Sequence, residues 1–340
     1  VDRRYFISGV LGAAALAGKR GAARELPPVP ALGRLLESGQ TSAMTVLHRG
    51  EPIFTYGDLS QVSYLASARK SLVSMLYGPS VKSGAIRLDR TLAAIGVDDL
   101  GGLLPIECTA TVRNLLMARS GIYHPAANAG DASALAPPRG SVKPGRRFLY
   151  NNWDFNALGA IFEIETGRKI YDAFDADIAR PIGLQDWRAD LQQTRNDTGK
   201  SLYPAHHFGL STRDMARLGQ LMLDRGRWRG RPVIPASWVA LTTALHTPAA
   251  RVGRESPFIP QLGYGYLWWV FDAAAVRDRA LHGAYTASGA YGQFITIVPR
   301  LQLVVAHKTA VPPPRNVSPD SYFGQILPAA LKLARDAAAG

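Results

Sequence analysis

Three short patterns hold residue types able to make and break an acyl bond: Ser67-Ala68-Arg69-Lys70, Tyr150-Asn151-Asn152 and Ala287-Ser288-Gly289. In the first, a hydroxyl and an amine lie three residues apart, one above the other on a helix face. An amine held there can take the serine proton, so Ser67 reads as an activated nucleophile that needs no histidine. Lys70 must be neutral to act as base, which requires burial or a nearby positive charge. At a helix N-terminus Ser67 gains further, because its backbone N–H is unpaired and the helix field favours a developing anion. An isolated Ser–Lys pair is usually a solvated helix face. Here the pair is single, and a single Tyr-x-Asn follows 83 residues later.

With these motifs the chain resembles the serine β-lactamase and penicillin-binding-protein superfamily, nearest its class C-like branch. That branch holds class C β-lactamases, D-alanyl-D-alanine carboxypeptidases, family VIII carboxylesterases and 6-aminohexanoate-dimer hydrolases. Its motifs are Ser-x-x-Lys, Tyr-x-Asn, and Lys-Thr-Gly or a variant on a late strand. The resemblance runs from about Met44 to Leu333 and includes Thr111 to Leu116 with Ser120-Gly121-Ile122. Pro144-Gly145 before Tyr150, Arg180 to Leu184 and Gly209 to Asp214 also resemble family segments.

The resemblance implies an acyl-enzyme at Ser67, with Lys70 and Tyr150 moving protons and Asn152 holding Lys70 and a substrate carbonyl. Tyr123 matches a substrate-loop tyrosine of the aminohexanoate hydrolases. Ala287-Ser288-Gly289 matches hydrolase members that lack the third-motif lysine, whereas an ungapped register selects Ala284-Tyr285-Thr286. In either register a strand N–H, that of Ala290 in the first, joins the Ser67 N–H as oxyanion hole. Neither register supplies a cation for a substrate carboxylate. That favours a neutral ester or amide, with His282 or an arginine as the residue able to substitute in space.

Composition narrows the alternatives. A hydrophobic content of 47% with 19% charged residues is globular. The net charge of +13 carries 31 arginines against eight lysines, without a basic run of five. No nucleic-acid groove is expected, and weak contact with an anionic envelope surface is the partner this charge allows. Cys108 is the one cysteine, so no internal disulfide forms. No His-Glu-x-x-His or Gly-x-Ser-x-Gly occurs, His206-His207 is not metal-ligand spacing, and no cofactor or metal is expected.

Arg3-Arg4 ahead of the small and apolar stretch Ile7 to Ala17, with Ala15-Leu16-Ala17 as cleavage site, reads as a twin-arginine export signal over residues 1–23. The hydrolase domain then occupies 24–340 and works in the periplasm or outside the cell. Its oligomeric state is not legible.

Extended runs Met44 to His48 and Pro52 to Tyr56 flank an Arg49-Gly50 turn and predict a hairpin. A helix is expected from Ser67 until Gly78-Pro79, with others over 152–165 and 212–225, the last capped by Ser211 or Thr212. Strand character returns over 265–271, 292–298 and 301–307, and a helix follows Ser318. Tyr264, Tyr266, Trp268 and Trp269 read mainly as sheet packing. The expected α/β fold is an antiparallel sheet (about 24–78 and 256–340) flanked by helices, with a mostly helical insert (about 79–255). The expected function is an exported serine hydrolase of small esters or amides. A β-lactamase, a D-alanyl-D-alanine carboxypeptidase or a non-catalytic cell-wall or penicillin-binding protein is the alternative.

Overall fold

A computed structural model describes residues 30–38, 40–128, 134–253, 260–309 and 316–339. The expected export signal lies outside these residues. Helix α1 (Pro30–Ser38) precedes the hairpin β1 (Ala43–His48) and β2 (Glu51–Gly57). Helices α2 (Arg69–Ser83), α3 (Asn152–Thr166) and α4 (Thr212–Leu223) follow. Strands β3 (Leu262–Tyr264), β4 (Trp269–Phe271), β5 (Tyr285–Gly289), β6 (Gln293–Val298) and β7 (Leu303–Lys308) come late, and α5 (Leu327–Ala339) closes the chain.

The two chain ends build one antiparallel sheet in the order β2-β1-β7-β6-β5-β4-β3. β6 and β7 are buried throughout, because both sheet faces are covered. On one face Gly219 of α4 meets Ile295 and Val304. On the other, Tyr322 stacks on Phe294 at 3.9 Å and its hydroxyl lies 2.8 Å from Thr296 Oγ1. Alternate residues of each strand thus serve opposite layers. Although α4 belongs to the middle of the sequence, it packs on the sheet rather than among the other inserted helices.

Two expected boundaries move. α2 runs through Gly78-Pro79 to Ser83. Trp238 lies against Gly78, and its indole N–H donates to the Ser74 carbonyl at 2.8 Å, so tertiary packing carries the helix across the proline. The run 265–271 is not one strand. Tyr266 N–H donates to Thr242 O, Leu267 takes φ 61°, and the chain reverses there between β3 and β4.

A Cβ on Gly219 would stand 2.4 Å from Val304 Cγ1 and 3.1 Å from Ile295 Cγ2. Gly219→Ala is therefore expected to lose about 1–3 kcal/mol to overpacking, even though alanine has the better helix propensity. Urea unfolding measures this, and an unchanged or raised midpoint would show that α4 is free to lift from the sheet.

Candidate active site

Ser67 does not open α2. It sits in a single 3₁₀ turn, Ala66–Ala68, and the helix starts at Arg69. Ala66 adopts φ 49°, a left-handed conformation that costs an L-residue roughly 1–2 kcal/mol. The turn leaves Ser67 partly exposed, while Lys70 one turn on is 2% exposed. Lys70 Nζ stands 2.9 Å from Ser67 Oγ and 2.9 Å from Tyr150 OH.

Burial drives the Lys70 pKa well below that of a free lysine, and the Arg69 guanidinium pushes it the same way. Arg69 is itself 2% exposed and donates to Asn156 Oδ1 at 3.3 Å. Burial lowers its pKa from the ordinary arginine value, and the phenols of Tyr64, Tyr150 and Tyr171 lie around it. Burial raises the Tyr150 phenol to about 12, against the opposing effects of Ser67 and Arg69, so its resting form is neutral. Trp269 stacks on the Tyr150 ring at 5.3 Å, Phe155 lies at 4.8 Å and Tyr264 meets it edge-on at 6.0 Å. Tyr264 and Trp269 thus form the wall behind Tyr150. Tyr266 and Trp268 pack elsewhere, against His246 and Tyr285.

The start of α3 carries the second motif. Asn151 is its N-cap, with Oδ1 accepting from Trp153 N–H at 2.7 Å. Asn151 Nδ2 donates to Ile122 O at 2.9 Å, which ties the motif to the loop carrying half-buried Tyr123. Asn152 departs from expectation. Its Nδ2 donates to Asn128 O rather than meeting Lys70, because the first helical turn aims it at the loop. Its Oδ1 has no hydrogen-bond partner among the described residues.

The third motif lies at the end of β5 in the register Ala287-Ser288-Gly289. A Cβ on Gly289 would stand 2.3 Å from Leu65 O and 2.9 Å from Ala68 N, so only glycine lets the strand reach the Ser67 turn. β4 pairs with β5 only at Tyr285 and Thr286, which leaves 287–289 and the following Ala290 beyond that pairing. Tyr285 lies at the other end, about 13 Å along the strand from Gly289, and His282 lies farther still. His282 therefore does not supply the missing cation.

Sequence reasoning missed Tyr64, Arg69 and His207. Tyr64 stacks on His207 at 4.5 Å, and burial with the Arg69 charge lowers the His207 pKa to about 4, keeping it neutral. The field of exposed Arg195 reaches both. A second cation directly beside Lys70 was the available signal for Arg69. No cluster of metal-ligating side chains occurs among the described residues.

A family model described as Beta-lactamase matches residues 35–323. An uncharacterized protein of Alkalihalophilus pseudofirmus is 22% identical over 261 residues, 71% of each chain. A Bacillus anthracis protein named as a candidate 6-aminohexanoate-dimer hydrolase superposes with TM-score 0.67 at 20% identity, over 89% of this chain and 81% of its own. EstCE1, named a hydrolase with promiscuous acyltransferase activity, gives TM-score 0.63 at 16% identity over 91% and 98%. At these identities the structural likeness is one of fold.

Behind the motif, Asp154 Oδ1 accepts from Ser120 Oγ at 2.5 Å and from Asn151 Nδ2 at 3.0 Å, and its Oδ2 has no side-chain hydrogen-bond partner among the described residues. Burial raises its pKa to about 8 in spite of those bonds. The folded pKa exceeds the unfolded one, so the native state holds a proton that the unfolded chain releases. Its stabilising effect is full below about pH 4 and is lost as pH rises toward 8, by up to about 1.4 kcal/mol per pH unit. Asp154→Asn keeps both hydrogen bonds and is expected to gain on the parent over that range. Parallel stability–pH curves from denaturant unfolding would refute a protonated Asp154.

Proposed function

Since the chain belongs to the Beta-lactamase family, we propose that it is a serine hydrolase that cleaves small neutral esters or amides through an acyl-enzyme at Ser67. The observation that supports it most is the buried amine of Lys70, 2.9 Å from both the Ser67 and the Tyr150 hydroxyls. Neutral Lys70 takes the Ser67 proton as Oγ attacks the acyl carbon. Tyr150, a neutral phenol, gives its proton to the departing alcohol or amine and is reprotonated from Lys70. Water enters by the reverse relay and releases the acid. The Ser67 and Ala290 backbone N–H groups hold the oxyanion, with the Gly289 approach bringing the two segments together.

Substrate class follows from charge. A carboxylate entering a partly desolvated cleft needs a charged partner. Ala287 offers none, His207 is neutral, and Arg69 is enclosed. Fluorophosphonate labelling is expected at Ser67 and absent in Ser67→Ala. Short-chain p-nitrophenyl esters are expected to turn over, with nitrocefin at least about a hundredfold slower in kcat/KM. Labelling that persists at another serine sinks the nucleophile. Comparable rates on the two substrates would transfer the carboxylate role to Arg195.

The acid limb of the pH–rate profile reports deprotonation of Lys70, so kcat/KM rises with pH through the Lys70 pKa. Arg69→Met removes one charge that depresses that pKa and is expected to move the limb upward, while Arg69→Lys leaves it close to the parent. A limb unmoved in Arg69→Met would show that burial alone keeps Lys70 neutral.

A further inference from the structure

A second concavity lies where residues 180–183, α4 and the hairpin 227–232 meet. It has a volume of about 540 Å³, and its lining includes Arg180, Arg217, Arg229 and Arg231 beside Trp228 and Ile182, with no carboxylate. None of these residues belongs to the Ser67 cluster. Arg217 is fixed in place: its Nη1 donates to Ile182 O at 3.2 Å, and its guanidinium lies 5.6 Å over the Trp228 ring. Arg180 is half committed, its Nε 2.8 Å from Asp175 Oδ2, with 70% of the side chain exposed. Arg229 and Arg231 are exposed. Four arginines line one small space, and among the described residues only Arg180 of the four has a carboxylate ion-pair partner.

The backbone adds an independent observation. Arg227–Trp228 pairs with Arg231–Pro232 across a two-residue turn in which Arg229 has φ 48° and Gly230 φ 81°. Such a turn favours Asn, Asp or Gly at its first central position, because that residue must enter the left-handed region. Arginine stands there against the local preference, at the rim of the cavity. A local rule broken without local compensation marks a position kept for another purpose.

We propose that this cavity is a binding site for a phosphate group. Planar guanidinium forks match phosphate oxygens in bidentate pairs, and a phosphate carries more charge and more acceptors than a carboxylate. Two sources share this chemistry, a soluble phosphate and the phosphodiester headgroup of an anionic lipid. The site stands apart from the hydrolase reading and survives or fails without it.

The test uses the full chain at low ionic strength. Inorganic phosphate is titrated by calorimetry, and co-sedimentation is measured with phosphatidylcholine vesicles with and without phosphatidylglycerol. Arg229→Asn removes one guanidinium and supplies the residue the turn prefers, so its melting temperature is expected to hold or rise. Arg231→Gln is the second variant, at an exposed position. The wild type is expected to bind phosphate, and each variant to weaken that binding by at least about tenfold. Sedimentation with the phosphatidylglycerol vesicles alone, lost in both variants, also supports the site and assigns its ligand to the lipid headgroup. Binding of neither probe, or binding unchanged in both variants, overturns the proposal.

Discussion

The site depends on keeping one amine uncharged. Lys70 Nζ lies 4.3 Å from the Tyr150 ring centre and 4.6 Å from that of Phe155, contacts that favour an ammonium. Their worth is about 0.5–2 kcal/mol. Removing an ammonium from water costs several kcal/mol even after relaxation, so desolvation outweighs these contacts and pulls the Lys70 pKa down. Much of the surrounding architecture serves that outcome. Trp269 and Tyr264 back the tyrosine, Phe155 covers the amine, and Ser67 and Tyr150 are each partly exposed. The proposed nucleophile is partly exposed and its proposed base is buried, one helical turn apart.

Holding that arrangement requires segments distant in sequence to meet at short range. The left-handed Ala66 turns Ser67 out of the helix, and Gly289 brings the sheet against the same turn. Asn151 joins α3 to the 120s loop through Ile122 O, while Asp154 binds Ser120 from below. Asp99 ties two further segments to α3, accepting from Trp153 Nε1 at 2.7 Å and from Ser201 Oγ at 2.5 Å. These polar contacts are buried and directional, so they fix one geometry where apolar packing alone would tolerate several.

Much of this was legible in the sequence because its signals are local. The Ser–Lys spacing fixes a shared face, turn residues mark the β1–β2 hairpin, and Ser211 caps α4. What escaped depends on partners far away. Gly265 to Phe271 reads as one strand until Thr242 captures the Tyr266 N–H and the chain reverses. Pro79 reads as a stop until Trp238 packs beside it. The motif singles out Asn152, and only the direction of the first turn of α3 makes Asn151 the cap and turns Asn152 toward Asn128. The register of the third motif became fixed when Gly289 met Leu65 and Ala68, a contact that no spacing rule contains.

The position of positive charge then separates two roles that one residue could otherwise combine. A cation on the late strand can both depress a neighbouring lysine and receive a substrate carboxylate. In this chain β5 carries Ala287, and the cation beside Lys70 is Arg69, enclosed by phenols and an amide. Its field reaches Lys70 and His207, yet at 2% exposure it offers no donor to an incoming ligand. A buried guanidinium without a carboxylate partner is costly, because its desolvation is offset only by neutral acceptors. That cost is consistent with a charge retained to act on the amine next to it. In the proposed hydrolase, base activation would thereby be separated from substrate recognition, and the cleft would be left to groups that ask for hydrogen bonds rather than for a counter-ion.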